Sequence, residues 1–351
     1  MTSTLLRYTP RTQRPEPVVR NNAGGASNLV DTFQRFARFL ILGTEGGTFY
    51  VNERTHTLDN INVVKEALKV DPERAITMIE DISTSGRAPK NDYAIYALAV
   101  AASHPNAYIS RGALLRLNTI CRTGTHLFQF VAFVDTMRGW GPALRKAVAN
   151  WYLSKSPEDL TYQVLKYQQR EGWSHRDVLR KSHPHTADPH LNAIFQFVTK
   201  GLSGIKDPFA LTDQMGAYTT LQIYPDFPEM AVDFITRFNL SREMIPTQLL
   251  TNPDVLRALA NKSPYTALIR NLGNYTRHDV LKDVTTRNRV IQQLTDPVKI
   301  AKSRVHPINV LTAHRTYGQG TGFRGGNSWT PLPGILNALE SAFYESFKNV
   351  E

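Results

Sequence analysis

The sequence has only one cysteine, and it lacks both a long apolar run and an apolar N-terminal stretch. Because Cys121 has no second cysteine in the 351 residues, an internal disulfide is excluded and a reducing compartment, the cytoplasm, is predicted. Since no run of about 18 apolar residues occurs, the sequence predicts no membrane span and no membrane partner. Residues 1–20 are polar and dotted with arginine, which excludes a secretory signal.

Acidic residues are also sparse and scattered, and the chain carries a net charge of +11. Residues 1–28 contain four Arg and one Glu, residues 145–181 eight Lys/Arg and four Asp/Glu, and residues 270–304 eight Lys/Arg and three Asp/Glu. The rest of the chain is nearly neutral. Such concentrated positive charge fits an anionic polymer as partner, although a basic protein without one is the alternative. Without paired carboxylates, the chain is predicted not to be an enzyme.

Helical periodicity dominates the chain after residue 28. Apolar residues recur at the spacing of one buried helix face, as in Tyr93, Tyr96 and Ala97, and the apolar stretch 127–134 predicts a buried helix. Helix starts are predicted at Ser156-Pro157, Ser174, Asn252-Pro253 and Ser263-Pro264, and the last of these helices is predicted to end near Gly273. Many helices of roughly 10 to 17 residues with short links predict an all-α fold, an α-solenoid of HEAT-like repeats. We divide the chain into a flexible basic arm, 1–28, and one helical domain, 29–351.

One motif matches a metal site but lacks the surroundings that the site needs. Asp81, Ser83 and Ser85 match the pattern of an adhesion-type site, which presents its oxygen ligands from the end of a buried strand. Residues 75–80 read as helix instead, so no metal is predicted here.

Two other patterns are rejected on the same ground. Gly320-x-Gly322-x-x-Gly325 matches a dinucleotide fingerprint. That fingerprint needs a strand before it and a helix immediately after it, and the sequence predicts neither, so we interpret the motif as a loop. The histidines at positions 175, 183, 185 and 190 have no cysteine nearby and a proline among them, so we expect exposed polar histidines rather than zinc ligands. No metal and no cofactor is therefore predicted.

Residues 166–183, KYQQREGWSHRDVLRKSH, combine cations with hydrogen-bonding and aromatic side chains. Lys166 and Arg170 are predicted at i and i+4 of the helix opened at Ser156, with Gln169 beside them. The helix opened at Ser174 is predicted to carry Arg176, Arg180, Lys181 and His183. This ridge fits phosphate contacts by Lys and Arg and base or sugar contacts by Gln and His, whereas a solvated helix face is the alternative. For Tyr167 and Trp173, core packing is favoured over base stacking.

This stretch and ten further segments resemble the TROVE module of the Ro family of RNA-quality-control proteins, and they occur in the family's order. The segments are residues 38–40, 43–48, 121–122, 125–128, 143–147, 151–152, 267–273, 306–307, 342–344 and 347–348. They extend the resemblance from about residue 30 to the end of the chain.

The resemblance implies a ring of HEAT-like repeats. Its outer surface would bind a small structured noncoding RNA of the Y type, and its central hole would take single-stranded ends of misfolded RNA. By matching position, the outer contacts are Lys166, Gln169, Arg170 and His183, to which we add the adjacent Arg176, Arg180 and Lys181. For the cavity we nominate Arg38, Arg122, His126 and Arg145. The implied role is noncoding-RNA quality control or ribonucleoprotein assembly, with an exoribonuclease or another RNA-processing protein as candidate partner.

One departure from the family concerns its von Willebrand factor A domain, which would begin where this chain ends, at Glu351. We therefore expect that domain and its metal site to be missing. We also expect the first helix, around Phe36, to cover the apolar face of the last helix, around Phe343, and close a smaller ring; the alternative is that a second copy or another protein covers that face. Two alternatives to an RNA scaffold are a protein-interaction solenoid that contacts acidic partners without RNA, and a nuclease. The nuclease is disfavoured because clustered acids and a histidine pair are missing.

Overall fold

α-Helices make up most of the computed structural model, which describes residues 18–20, 26–28, 30–43, 53–322 and 325–350. The helices are α1 (Thr32–Leu42), α2 (Glu53–Val70), α3 (Pro72–Ser85), α4 (Asp92–Ala102), α5 (Ala107–Leu115), α6 (Leu117–Ile120), α7 (Gly124–Met137), α8 (Pro142–Leu153), α9 (Pro157–Lys166), α10 (His175–Ser182), α11 (Pro189–Lys200), α12 (Asp213–Ile223), α13 (Pro228–Phe238), α14 (Pro253–Lys262), α15 (Tyr265–Arg277), α16 (Val284–Thr295), α17 (Pro297–Ser303), α18 (Pro307–Gly318) and α19 (Pro333–Glu345). The strands are β1 (Val18–Arg20), β2 (Ala26–Asn28), β3 (Gln169–Arg170) and β4 (Trp173–Ser174).

Side-chain caps and prolines start the helices where the sequence predicts. Ser156 caps α9, and Pro157 occupies its first turn. Ser174 and Asp177 form a capping box at α10, and the Asn252 side chain accepts hydrogen bonds from two backbone N–H groups of α14. Each cap satisfies N–H groups that have no partner within the first turn. These predicted helix starts are confirmed.

Helix α15 continues past the glycine at which the sequence predicts its end. A Cβ atom on Gly273 would lie 2.6 Å from Cη2 of Trp329, so the indole occupies the space that a side chain would take. The glycine therefore permits a close approach between two segments and does not end the helix, which continues to Arg277. The predicted end near Gly273 is wrong for this reason.

Neighbouring helices pack against each other along the chain. Helix α1 packs on α2, α2 on α3, and α4 on both α5 and α7, while α12, α13 and α14 stack in turn and α18 packs on α19. Helix α4 is buried almost all round, and the apolar stretch 127–134 forms the buried part of α7, as predicted. The predicted fold class, an α-solenoid of HEAT-like repeats, is confirmed.

The solenoid curves until segments from its two ends meet at a contact that we call the seam. The seam joins the loop 86–91, between α3 and α4, to residues 302–309 and 349. Asn309 Nδ2 donates a hydrogen bond of 3.4 Å to the carbonyl oxygen of Pro89. A Cβ on Gly86 would lie 3.2 Å from the carbonyl oxygen of Asn349, so the backbones approach closely.

Each terminal helix is covered by its own neighbours. Phe36 of α1 is fully buried, and α1 packs on α2, α3 and α4. Leu339 of α19 is also fully buried, and α19 packs on α16, α17 and α18. The prediction that the first helix covers the last is therefore wrong, because each of the two helices packs on its own neighbours and the closing contact is made at the seam.

Of the predicted arm, 1–28, the structure describes only β1 and β2, which pair antiparallel. The rest of the arm lies outside the described residues, as do positions 44–48 of the segment that resembles the Ro family. Among the described helices, none combines the length and the apolar character that a bilayer crossing requires.

Candidate nucleic-acid interface

Between α9 and α10 the chain forms a β-hairpin where the sequence predicts helix. Helix α9 ends at Lys166, and β3 and β4 then pair antiparallel. Glu171 (φ 53°) and Gly172 (φ 77°) are both left-handed, as a tight type I′ turn requires. Because α9 ends at Lys166 and Arg170 lies in β3, the prediction that Lys166 and Arg170 share a helix face is wrong.

The exposed side chains of β3 and α10 form what we call the hairpin surface. Val178 and Leu179 on the opposite side of α10 are buried, which fixes the direction in which the polar side faces. The hairpin surface consists of Gln169, Arg170, Arg176, Arg180, Lys181 and His183, all exposed. Of the acidic neighbours, Glu171 contacts Arg170 at 3.0 Å and Asp177 is engaged in the cap of α10. The remaining charge of the surface is positive.

Lys166 lies at the edge of the hairpin surface and is half-buried. Its Nζ donates to the hydroxyl oxygen of Tyr162 at 2.8 Å and lies 4.9 Å and 5.4 Å from the ring centres of Tyr162 and Tyr167. The ammonium of Lys166 therefore makes cation–π contacts with two rings, whereas the other cations of residues 166–183 extend into solvent.

An aromatic core supports the hairpin surface from below. His175, at the first position of α10, is only 3% exposed, and its ring lies 4.6 Å from that of Phe128. The hydroxyl of Tyr152 is 2.9 Å from His175 Nδ1. Burial lowers the pKa of His175 to about 4, so the ring is neutral at neutral pH. The expectation of an exposed histidine is wrong at this position, because the cap at Ser174 turns the residue inward.

The aromatic residues of the stretch pack as predicted. Trp173 is half-buried, with its ring 5.9 Å from that of Trp140. Tyr167 is half-buried as well, and a Cβ on Gly124 would lie 2.9 Å from Tyr167 Cβ. Histidines 183, 185 and 190 are exposed, as expected.

A second basic site lies at the seam, where a cavity of about 380 Å³ opens between the two ends of the solenoid. We call it the seam cavity. Its polar lining consists of Ser83, Lys90, Asn91, Arg122, His126, Lys302, Ser303 and Arg304. The structure thus unites two nominated cavity residues, Arg122 and His126, with three cations that sequence reasoning did not nominate.

Hydrogen bonds hold the wall of the seam cavity in place. Arg122 Nη1 donates to Ser83 Oγ at 3.0 Å and to the carbonyl oxygen of Thr119 at 3.2 Å. Ser83 Oγ in turn donates to Asn91 Oδ1 at 2.7 Å. Burial, and then the charge of Arg122, lower the pKa of His126 to about 4. His126 is therefore a neutral hydrogen-bonding group at neutral pH and adds no charge to the cavity.

Helices α15 and α18 enclose a third site, a cavity of about 410 Å³ that we call the α15–α18 cavity. Arg270 and Arg277 lie on one wall, and Trp329, stacked on Tyr317 with ring centres 6.2 Å apart, closes one end. Within the described part of the chain, Asn274 Nδ2 on this wall is buried without a hydrogen-bond partner. The excess of positive charge in residues 270–304 was the sequence signal for these two arginines and for Lys302 and Arg304 of the seam cavity.

The other two nominated cavity residues lie elsewhere. Arg38 is exposed on α1, and Arg145 is exposed on α8, where its Nε donates to the carbonyl oxygen of Trp140 at 3.0 Å. Neither belongs to the lining of the seam cavity or of the α15–α18 cavity.

The rejected motifs have the surroundings that the sequence predicts. Asp81 and Ser85 lie in the last turns of α3, and no strand precedes them. The glycine motif is a loop between α18 and α19 in which Gly320 and Gly325 are left-handed, and Arg324 lies outside the described residues. Among the residues that the structure describes, no group of three or more His, Cys, Asp or Glu side chains is arranged to hold a metal ion.

Known proteins resemble this chain in sequence over almost its whole length. The RNA-binding protein RO60 of Deinococcus radiodurans is 38% identical over 346 residues, which cover 97% of this chain and 65% of that protein. The RNA-binding protein RO60 of Caenorhabditis elegans is 31% identical, with 94% of this chain and 63% of that protein covered. The chain thus spans just under two thirds of the length of these curated relatives.

The fold is similar to a solved structure as well. The crystal structure of the Deinococcus radiodurans RO (RSR) protein superposes with a TM-score of 0.74 at 37% sequence identity, covering 92% of this chain and 65% of that one. The family model described as TROVE domain matches residues 19–218 and 236–351. The chain therefore belongs to the TROVE domain family.

Proposed function

We propose that the chain is a noncatalytic RNA-binding scaffold that binds a small structured noncoding RNA, of the Y type, on the hairpin surface. The observation that carries this proposal is the set of exposed cations on one side of α10 and β3. None of the salt bridges formed by the described residues involves Arg176, Arg180 or Lys181. Exposed Arg and Lys suit phosphate oxygens, and Gln169 and His183 add groups that hydrogen-bond to sugars and base edges.

The two cavities are the proposed sites for single-stranded ends of misfolded RNA. Both are lined by arginine together with amide and hydroxyl groups, and the α15–α18 cavity also contains Trp329. Aromatic rings and cations are what single-stranded nucleic acid requires, because bases stack and phosphates pair. Two relatives are named RNA-binding proteins, which agrees with this assignment. The proposed role is noncoding-RNA quality control or ribonucleoprotein assembly.

Neutralising two neighbouring cations of the hairpin surface tests the proposal that a structured RNA binds there. We expect Arg176→Gln with Arg180→Gln to weaken binding of a structured small RNA roughly thirtyfold, since each lost contact is worth about 1 kcal/mol. The slope of log affinity against log salt should also flatten by about one unit or more. Lys65→Gln with Lys69→Gln is the matched control, because these exposed lysines of α2 have the same i, i+4 spacing.

An unchanged affinity and salt slope in the Arg176/Arg180 variant would remove the hairpin surface from the RNA site. Complete absence of RNA binding by the unmodified chain would favour a protein-interaction solenoid instead. Copurification from cells, with sequencing of bound RNA and mass spectrometry of bound protein, tests the proposed partners, including an exoribonuclease or another RNA-processing protein.

A further inference from the structure

The seam cavity is built from parts of the chain that are far apart in sequence. Lys90 and Arg122 belong to the N-terminal half of the solenoid, and Lys302 and Arg304 belong to the C-terminal half. The two halves touch through the hydrogen bond between Asn309 and Pro89. A ligand in this cavity would therefore contact both sides of the seam at once.

Cations gather in the seam cavity without an acidic partner in its lining. The lining residues include four Lys or Arg side chains and no Asp or Glu. Burial, and then the charge of Arg304, lower the pKa of Arg122, and the second cause is the repulsion expected between neighbouring like charges. Because closing the seam brings these like charges together, their repulsion opposes closure until a bound anion compensates the charge.

The side chains are also held in place for a ligand. The hydrogen bonds that Arg122 makes to other described residues both start from Nη1, so the other N–H groups of the guanidinium fork remain for an acceptor. Arg304 adopts a left-handed backbone (φ 50°) at the end of α17. A Cβ on Gly86 would lie 3.5 Å from Arg304 Cβ, so Arg304 stands directly across the seam.

We propose that the seam cavity binds a phosphate group, which bridges Arg122 on one side to Lys302 and Arg304 on the other and fastens the closed solenoid. Arginine forks match the tetrahedral oxygens of phosphate, and the neutral Asn91 and His126 supply further hydrogen bonds. The phosphate is either free inorganic phosphate or a phosphate of RNA. Only the second source rests on the proposed function.

Thermal unfolding of the full 351-residue chain in sodium phosphate, compared with sodium chloride at equal ionic strength, tests the site. At about ten times the Kd, phosphate should raise Tm by about 2 °C, and Tm should continue to rise with the logarithm of the phosphate concentration. Arg304→Asn removes the charge and tolerates the left-handed backbone, and Lys302→Gln is a second, independent variant. In both variants the phosphate response should fall by at least half, while Tm in chloride should be unchanged or higher because repulsion is relieved.

The control for these variants is Lys65→Gln with Lys69→Gln, which should keep the full phosphate response. A rise in Tm that is equally large in the unmodified chain and in both seam variants would overturn the proposal. So would a phosphate response that is absent from the unmodified chain. Neither outcome bears on the hairpin surface, so the proposal that RNA binding depends on Arg176 and Arg180 would still stand.

Short oligoribonucleotides distinguish the two sources of phosphate. If RNA supplies the group, a single-stranded oligoribonucleotide with a terminal phosphate should reproduce the rise in Tm at lower concentration than inorganic phosphate, and Arg304→Asn should remove the difference. If oligoribonucleotides give no rise in Tm that depends on Arg304, the phosphate is free phosphate and the bridging site stands without RNA.

A distance measurement across the seam tests the fastening role. Spin labels attached through Arg87→Cys and Ile308→Cys lie on opposite sides of the seam, and the distribution of distances between them should narrow when phosphate binds. A distribution that does not narrow would overturn the fastening role.

Discussion

The hairpin surface and the seam cavity both gather cations, but the two regions do so in opposite ways. The hairpin surface collects exposed side chains from residues 166–183, a short stretch of the chain. The seam cavity collects its cations from positions 90, 122, 302 and 304 around one open cavity, and of these four only Arg122 is half-buried. Because water and salt screen exposed charges, the hairpin surface needs many phosphate contacts for affinity, whereas the seam cavity places four cations around the space for a single anion. Charge that is local in sequence therefore suits a long polyanion, and charge assembled by folding suits a single group.

The largest effect expected from this comparison lies beneath the hairpin surface, at His175. Burial holds the pKa of this ring at about 4, below the 6.5 of an ordinary histidine. As pH falls below 6.5, His175 binds a proton in the unfolded chain, whereas in the folded chain it binds one only near pH 4. The stability that the neutral buried ring contributes is therefore complete above pH 6.5 and is lost between pH 6.5 and pH 4. At pH 5 we expect His175 to account for a loss of about 2 kcal/mol in urea unfolding, in addition to the loss from His126, whose pKa burial also lowers to about 4.

Two variants separate the buried ring from the exposed ones. His175→Gln removes the titrating group, so the difference in stability between pH 7 and pH 5 should shrink by about 2 kcal/mol. His183→Gln changes an exposed histidine at the end of α10 and should leave that difference unaltered. Equal acid sensitivity in the unmodified chain and in His175→Gln would show that the aromatic core beneath the hairpin surface is not the acid-sensitive part.

A smaller effect is expected within the hairpin surface itself. Arg170 is exposed in β3, and water screens its ion pair with the exposed Glu171, whereas Lys166 is half-buried with its ammonium on the Tyr162 hydroxyl. Arg170→Gln should therefore weaken binding of a structured small RNA about fivefold, the equivalent of about 1 kcal/mol. Lys166→Gln should change the affinity by less than about twofold, since its cation is already engaged by two rings. Salt-titrated binding measurements compare the two variants.

The reverse order of effects for Lys166 and Arg170 would break the distinction between engaged and exposed cations. It would mean that Lys166 leaves the rings of Tyr162 and Tyr167 when RNA binds. A Tyr162→Phe variant, which removes the hydroxyl that accepts from Lys166, should then strengthen binding, whereas we expect no change.

The smallest effect concerns catalysis, which we expect from neither region. The hairpin surface and the two cavities contain cations, amides and hydroxyls, and the described residues hold no acidic cluster able to bind a metal ion. We expect no cleavage of RNA and no hydrolysis of nucleotides by the purified chain, with or without Mg²⁺ or Mn²⁺. Turnover that a single substitution in either region abolishes would contradict a scaffold.

The helical fold followed from local signals that act over one turn. Ser156-Pro157 and the capping box at Ser174 start their helices because each side chain satisfies nearby N–H groups. Local signals were misleading where a distant residue decided the outcome. Gly273 resembled the end of a helix, yet the Trp329 ring from another segment requires a glycine in the middle of α15. A local signal was missed as well: residues 166–170 were predicted as helix with a link at 171–173, yet α9 ends at Lys166 and a left-handed turn at 171–172 folds the chain into a hairpin.

By itself, the sequence determined the all-α fold class, the cationic residues of 166–183 and the similarity to the TROVE domain family. These are properties of composition, of spacing within one helix turn and of ordered motifs, and they need no knowledge of distant contacts. Only the tertiary structure decided that His175 is buried and that Arg122 and Arg304 line the same cavity. Each of these depends on contacts between residues far apart in the chain, or on the burial that such contacts create, and helical periodicity carries no information about which turn of the solenoid meets which.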